Sequence, residues 1–273
     1  MQTHRKPVLL KRVTGRITKC KPAWVRQKVI YYAIYLKSCR KVSATFNANH
    51  GAYMAVGHSL AAQIIKANQT EIDDRRRAMR RNKPVLAAVG HTWALDLSYL
   101  VSADGLTFTL LGIIDHGSRR LLALKLLPRK CALSLMGHLL LVIAVHGVPE
   151  VICTDNEGMF RSHVWKTVFG HMGIRHRRSR RQCPWDNPVI ERLFGHLKPL
   201  LRQLKPITEA AMKQALVEFN IFYNHVHRHI SLQGRTPMEV WSGKTLADVQ
   251  ANGHSGRWVS AMGGLLVGFH LRC

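Results

Sequence analysis

The sequence has few acidic residues compared with its basic ones. Only 15 Asp and Glu stand against 41 Lys and Arg, which gives a formal charge of +26 on 273 residues. The hydrophobic content of 47% argues against a disordered chain and indicates a globular protein that can bury a core. A folded protein with this positive excess requires an anionic partner, and nucleic acid is the expected one. On charge alone, a ribosomal-type or merely RNA-adhering protein is the alternative.

The sequence also lacks paired cysteines and long apolar runs. The cysteines are scattered, without a C-x-x-C pair, at Cys20, Cys39, Cys131, Cys153, Cys183 and Cys273. This spacing argues against a disulfide framework and a thiolate zinc site. The longest apolar run, Leu139 to Val145, is too short for a membrane span, and the N-terminal stretch MQTHRKPVLLKRVTGRITK has no signal-peptide core. We therefore expect reduced thiols, no membrane segment and a cytoplasmic location.

The N-terminal part, residues 1–67, has the pattern of a small all-α region. Helical periodicity is present in PAWVRQKVIYYAIYLKS, CRKVSATFNANHG and VGHSLAAQIIKAN. Three short basic helices fit a helix-turn-helix, whose third helix would enter the DNA major groove with Ser59, Gln63 and Lys66 as candidate contacts. A helical hairpin with a solvated basic face is the alternative. Residues 68–84, NQTEIDDRRRAMRRNKP, are predicted to be a basic linker that could be helical and touch phosphates.

Residues 85–243 have the pattern of an α/β domain. Three strand-like runs, HTWALDLSYL, LTFTLLGIID and RRLLALKLL, are separated by turn compositions and predict an antiparallel meander. A helix, a strand, a helix, a short strand and a helix follow, so the later strands are predicted to be parallel. Residues 244–273 contain the strand-like tail RWVSAMGGLLVGFHLRC, which is predicted to form a small hairpin.

Three of the few acids fall at or beside the predicted sheet. Asp96 lies in the middle of the first strand, and Asp155 follows the buried strand EVICT, where ligand sites in open α/β sheets gather. Glu191 opens a helix for which Asn187 is the predicted cap and Pro188 the first residue. By itself Glu191 fits an acid that complements the helix dipole. Together, the three carboxylates could hold two divalent cations that steady an in-line displacement at phosphorus.

Longer stretches of this part carry a family resemblance. WALDLS, TDNEGMF, CPWDNPVIERLFGHLK and FNIFYNHVHRHISLQGRTPMEVW resemble the catalytic core of bacterial insertion-sequence transposases related to retroviral integrases, the DDE superfamily. The interval of 35 residues between Asp155 and Glu191, and the basic Lys198 seven positions after the glutamate, match the spacing of that family. The resemblance implies a ribonuclease-H-like integrase core, a mixed sheet flanked by helices, preceded here by the helix-turn-helix region. It also implies that Asp96, Asp155 and Glu191 are catalytic and bind two Mg²⁺ or Mn²⁺ ions.

The sequence departs from the family pattern at two places near the acids. Family members usually read Asp-Asn-Gly-Ser-Glu-Phe at the second acid, whereas this chain reads DNEGMF, with the glutamate moved forward to Glu157. Ser98 replaces the more usual threonine after the first acid. Besides these, the zinc-binding His/Cys module that precedes retroviral integrase cores is absent.

Basic residues near the third acid are the predicted DNA contacts. The DNA backbone is assigned to a group of arginines, Arg175, Arg177, Arg178, Arg180 and Arg181. Lys198 is predicted to contact the DNA end near the scissile phosphate, on a helix face that Gly195 leaves open. Asp115 is predicted to fix a turn between strands, with Arg119 as its candidate partner. Glu157 and Asp186 are acids easily mistaken for metal ligands. Packing is the preferred role of Trp185 and of segment 222–229.

These observations favour a transposase over its rivals. A tyrosine recombinase requires a nucleophilic tyrosine after its His-x-x-Arg signature, and no tyrosine follows Tyr223. A catalytically inactive DNA-binding derivative would not need all three acids, and a nuclease of the same fold would cut without joining. The implied partners are the terminal repeats of a mobile element, target DNA and further copies of the chain in an oligomer on DNA.

Overall fold

The computed structural model describes residues 9–11, 17–19, 21–81, 87–102, 105–180, 183–206, 208–251 and 256–271. The chain divides into two compact units, one of residues 1–84 with 181–183 and one of residues 85–180 with 184–273. Within the described ranges, no helix is both long enough and apolar enough to cross a bilayer.

The smaller unit contains a two-stranded antiparallel ribbon and four helices. The strands are β1 (Leu9–Lys11) and β2 (Ile17–Lys19). The helices are α1 (Ala23–Tyr35), α2 (Cys39–His50), α3 (His58–Ala67) and α4 (Gln69–Arg81). The N-terminal helical region predicted from the sequence is therefore present.

Helix α4 occupies most of the segment that we expected to be a linker. Ile72 on this helix is fully buried. Arg76 donates to the carbonyl oxygens of Ala33, at 2.6 Å, and Ile34, at 3.2 Å, near the end of α1. A guanidinium at this position satisfies carbonyls that have no partner within the helix and complements the negative end of the helix dipole. Residues 69–81 are thus a packed part of the smaller unit.

The larger unit is built on one mixed sheet of five strands. These are β3 (Thr92–Val101), β4 (Thr107–Asp115), β5 (Leu121–Leu127), β6 (Val151–Thr154) and β7 (Arg175–Arg178). Their order across the sheet is β5-β4-β3-β6-β7. The first three form the predicted antiparallel meander, and β6 and β7 run parallel to β3 as predicted.

The remaining elements of this unit are helices and a C-terminal hairpin. The helices are α5 (Ala132–His146), α6 (His163–Met172), α7 (Pro188–Leu204), α8 (Glu209–His225), α9 (Pro237–Trp241) and α10 (Leu246–Ala251). Short 3-10 helices span Gly158–Arg161, Pro184–Asp186, Ile230–Leu232 and Met262–Gly264. The predicted hairpin is formed by β8 (Gly256–Ala261) and β9 (Leu266–Leu271).

Hydrophobic clusters cover both faces of the sheet. Side chains alternate along β3, so that Ala94 joins one cluster with α7 and α8, while Trp93 and Leu95 join the other with α5 and α6. Burial of both faces supplies the main driving force for this layered arrangement. By the same alternation, Asp96 is on the face that α7 covers. The predicted α/β fold, a mixed sheet flanked by helices, is confirmed.

Candidate active site

Asp96 and Asp155 are brought together by the register of two neighbouring parallel strands. The last recorded pair between β3 and β6 joins Ala94 to Cys153. Asp96 lies two residues after Ala94, and Asp155 lies two residues after Cys153. The two acids are therefore level with each other along the strands, at the end of β6, and on the same face of the sheet. This edge of the sheet is where the sequence predicted the site.

Helix α7 carries the third acid across this face. It begins at Pro188, as predicted, but the Asn187 side chain forms no capping hydrogen bond, which corrects the expected cap. The backbone of Asn187, with ψ of 57°, departs from the extended conformation that points a capping side chain at the first amides. Glu191 in the first turn is exposed, and a Cβ added at Gly195 would meet nothing within 4 Å. The open helix face expected between Glu191 and Lys198 is therefore present.

A glycine in the sheet allows the helix to approach the acids. Gly112 of β4 is the register partner of Asp96. A Cβ at Gly112 would lie 2.9 Å from Cζ of Phe194 and 3.4 Å from Cδ1 of Ile190, both on the buried side of α7. A larger residue would force the helix outward, so Gly112 lets the turn that bears Glu191 lie close to Asp96.

The carboxylates act on one another electrostatically. Burial, with the added charges of Asp155, Glu191 and Glu157, raises the pKa of Asp96 to about 7. Burial, with Glu157 and Glu191, raises the pKa of Asp155 to about 6, although Lys130 opposes the shift. Burial is the main cause of both shifts, and the neighbouring carboxylates raise the two pKa values further. Perturbed acids in such a cluster are a common mark of a functional site.

Two of the acids use one oxygen for a local backbone contact. Oδ1 of Asp96 accepts from the Leu97 amide at 2.8 Å, and Oδ1 of Asp155 accepts from the Glu157 amide at 3.1 Å. These bonds orient the carboxylates without neutralising them. Hard oxygen donors that are held in place and short of positive charge are suited to divalent cations such as Mg²⁺. In the described ranges, no three His, Cys, Asp or Glu side chains stand close enough to form a complete metal site.

A lysine that the sequence did not single out supports the loop after Asp155. Nζ of Lys130 lies 2.8 Å from Oε2 of Glu157 and also hydrogen-bonds the Tyr99 hydroxyl. Its ammonium group lies 4.9 Å from the Tyr99 ring centroid. Glu157, the acid displaced from its usual family position, thus ties the loop to Lys130 after β5. No local pattern marks Lys130, because its partners are distant in the sequence.

The predicted DNA-contacting arginines divide into three groups. Arg175, Arg177 and Arg178 are exposed on β7. Arg180 is held by Asp186, which accepts from its backbone amide at 3.0 Å, from Nε at 2.9 Å and from Nη2 at 2.6 Å. Arg181 lies outside the described residues. Asp186 therefore serves an arginine partner in this structure.

The other candidate residues also have defined surroundings. Asp115 is fully buried and accepts from the amide and hydroxyl of Ser118, each at 2.7 Å, which agrees with its predicted role in the turn. Phe222 and Tyr223 are buried, in agreement with packing as the role of that segment. In the smaller unit, the candidate contacts on α3 are exposed and their spacing places them on one face: Ser59, Gln63 and Lys66.

Comparison with known proteins gives one matching family segment. Residues 172–237, which include Glu191 and Lys198, match the family model of the integrase core domain. A stretch of 105 residues, 38% of this chain, is 30% identical to the uncharacterized protein K02A2.6 of Caenorhabditis elegans. This chain spans only 8% of the length of that relative.

Solved structures show the same type of fold. A chain of the simian T-cell lymphotropic virus intasome in complex with PP2A regulatory subunit B56 gamma aligns with a TM-score of 0.50 and 21% identity, over 77% of this chain and 76% of that chain. The HTLV-2 integrase catalytic core domain in complex with magnesium aligns with a TM-score of 0.48 and 18% identity, over 57% of this chain and 99% of that chain. At these identities the likeness concerns the fold. Residues 172–237 thus match the integrase core domain model, and the chain is similar in fold to a chain of this retroviral intasome.

Proposed function

We propose that the protein is a DDE-type transposase that cuts DNA and joins the cut end to target DNA. The single observation that carries the proposal is the convergence of Asp96 and Asp155 at one level of the sheet, with Glu191 delivered by the helix that Gly112 admits. The raised pKa of Asp96, about 7, supports it, because a site that gathers carboxylates without compensating charge is arranged for cations.

The carboxylate chemistry of Asp96, Asp155 and Glu191 suits two Mg²⁺ or Mn²⁺ ions, which are part of this proposal. Asp96 and Asp155 would hold the ions from the sheet, and Glu191 would join them from the exposed face of α7. Bound in this way, the ions would stabilise negative charge on the attacking and leaving oxygens of a phosphodiester. Lys130 would keep the Asp155 loop in position through Glu157.

The proposed reaction has two in-line displacements at phosphorus. In the first, a water oxygen bonds to the phosphorus at the element end, the P–O3′ bond breaks, and a 3′-hydroxyl is released as the water proton is transferred away. In the second, that hydroxyl attacks a target phosphodiester, its proton leaves, and the target P–O3′ bond breaks. Holding the end and the target in one site supplies the orientation on which the second step depends.

The DNA contacts in this proposal come from both units. The exposed face of α3 would read the terminal repeats through Ser59, Gln63 and Lys66. Lys198 would contact the DNA end, and the arginines on β7 would contact backbone phosphates. Joining two ends requires a homo-oligomer on DNA. Helix α5 offers a surface for it, since Leu133, Leu141 and Val145 are 71%, 67% and 74% exposed. A cytoplasmic, nucleoid-associated location belongs to the same proposal.

The proposal is tested with the parent protein and its Glu191→Gln variant on labelled DNA from the flanks of the gene. Each is incubated with Mg²⁺, Mn²⁺ or chelator, and with a target plasmid. Glu209→Gln is the matched control, because Glu209 is an exposed acid at the start of another helix of the same unit. We expect metal-dependent nicking at a discrete end and joining by the parent and the control. The Glu191→Gln variant should lose both reactions and retain DNA binding.

Two other results would contradict the proposal in different ways. Specific binding by the parent without metal-dependent strand chemistry would indicate a DNA-binding protein on an inactive core. Cutting without joining would indicate a nuclease of the same fold.

A further inference from the structure

A second cluster of basic side chains includes residues of α7, the helix that carries Glu191. It is formed by residues from three separate segments, the turn after β4, the exposed face of α7 and the chain after α8: Arg119, Arg192, His196, His227 and His229. We call these five residues the Arg119 cluster. The ring centroids of His227 and His229 are 4.5 Å apart, and those of His196 and His227 are 5.1 Å apart. The Tyr223 ring stacks on that of His227, with their centroids 5.8 Å apart.

The Arg119 cluster is short of negative charge. None of its members forms an ion pair with an acidic residue in the described ranges. Asp115 is the one acid that favours the charge of Arg119, and its oxygens accept from Ser118 and Gly90. Burial and the charges of His227, Arg119, His196 and Arg192 lower the pKa of His229 to about 3. A pKa this low leaves the His229 ring neutral at pH 7, so the fixed positive charges of the cluster are those of Arg119 and Arg192, which an anion would offset.

The backbone at Arg119 is itself in an uncommon conformation. Its φ is 62°, in the left-handed region that favours glycine. Arg119 therefore lowers the stability of the fold in two ways, through its strained backbone and through its partly buried charge near Arg192. Strain of this kind concentrates at binding sites, where the ligand offsets it.

Space for a ligand adjoins the cluster. Two members of the cluster, His196 and His227, line a cavity of about 460 Å³ together with Arg228 and the hairpin residues Leu266 and Phe269. The volume accommodates a phosphodiester and the sugar attached to it. Arg192 directly follows Glu191 in α7, so one helix carries residues of both the cluster and the carboxylate site.

We propose that the Arg119 cluster is a binding site for a backbone phosphate of DNA, separate from the carboxylate site. Arg119 and Arg192 provide guanidinium groups, whose planar donors match phosphate oxygens, and the histidines provide further donors. The inference rests on the proposed function, because it makes DNA the source of the phosphate. Its role is to hold the strand in register over α7 while the carboxylates act on a neighbouring phosphodiester.

The test compares the full-length parent with Arg119→Gly, Arg119→Lys and Lys213→Gln. Glycine accepts the positive φ and removes the guanidinium, and lysine retains the charge. Lys213 is an exposed cation on α8, about ten residues from Tyr223, and controls for the loss of one charge. The first readout is the melting temperature in inorganic phosphate and in chloride at equal ionic strength. The second is the affinity for duplex DNA as a function of salt concentration.

We expect Arg119→Gly to melt above the parent in chloride and to lose the additional rise that phosphate gives the parent. Its plot of log affinity against log salt should be shallower by about 0.9, the loss of one phosphate contact, whereas the Lys213→Gln plot keeps the parent slope. Arg119→Lys should keep most of both effects. A merely structural Arg119 would instead lower the melting temperature when replaced.

The melting and DNA-binding measurements distinguish a failure of this inference from a failure of the proposed function. If the parent fails to bind DNA but shows the phosphate effect through Arg119, the site takes free phosphate and the proposed source is wrong. If the parent cuts and joins DNA while Arg119→Gly keeps the phosphate effect and the salt slope, the inference is overturned and the proposed function stands.

Discussion

Removing the charge of Asp96 is expected to stabilise the metal-free protein at alkaline pH. The pKa of this carboxyl is about 7 in the folded chain, against an ordinary value of 3.8. A folded state that binds the proton more tightly than the unfolded state loses stability as pH rises from the lower value through the higher one. The substitution Asp96→Asn removes this loss and keeps an oxygen that can accept from the Leu97 amide. The variant should therefore be more stable than the parent at pH 8.

The size of this stabilisation follows from the pKa shift of Asp96. The difference of about three pKa units corresponds to about 4 kcal/mol of unfolding free energy at pH 8 and only ~0.5 kcal/mol at pH 4. The measurement is urea unfolding in chelator, followed by the fluorescence of the tryptophans, two of which, Trp93 and Trp165, are buried in the larger unit. The exposed Glu209 gives the control, since Glu209→Gln should change the free energy by less than ~1 kcal/mol at either pH.

Added Mg²⁺ should reverse the ranking of the two proteins at pH 8. The cation stabilises the ionised parent carboxylates by mass action, and the variant lacks one of them. A variant that is less stable than the parent in chelator at pH 8, or a difference that does not change between pH 4 and pH 8, would refute the electrostatic account of this site.

Three further substitutions test the surrounding structure. Gly112→Ala places a Cβ 2.9 Å from Cζ of Phe194, so it should lower the free energy of unfolding in urea by about 1–3 kcal/mol and reduce strand transfer. The control Gly170→Ala, whose Cβ would meet nothing within 4 Å, should cause no loss of stability. Equal stabilities of the two variants would contradict the packing argument. Asn224→Ala removes the buried amide that accepts from the Leu121 amide and donates to its carbonyl, each at 2.9 Å, and should cost about 2–4 kcal/mol by the same measurement; an unchanged midpoint would show that the bonds do not hold α8 to β5. Leu141→Glu charges the exposed side of α5 and should yield monomers in light scattering where the parent forms oligomers, and oligomers of unchanged size would exclude this face as the contact.

The order of elements in the larger unit could be predicted from the sequence because it depends on local patterns. Alternation and turn residues predicted the meander, and apolar periodicity predicted the crossover helices that make β6 and β7 parallel to β3. Handedness and connection rules leave few ways to arrange such an order. The cap at Asn187 was the local prediction that was wrong, since capping depends on backbone angles that residue type only biases.

Part of the candidate site could also be predicted from local patterns in the sequence. The sequence by itself determined the three acids, their spacing and the helix that carries Glu191. The register that sets Asp96 level with Asp155, and the closeness that Gly112 allows, were decided by the tertiary structure. An isolated glycine within a strand pattern is a signal for such a close approach.

The charge partners depended wholly on the tertiary structure. Lys130 reaches Glu157 across 27 residues, and the Arg119 cluster collects side chains from three segments that share no local pattern. Secondary structure follows from interactions within a few residues of chain, whereas the contacts between distant segments follow from how the layers pack on the sheet. The sequence thus determined which groups could perform the chemistry, and the packing decided which of them meet.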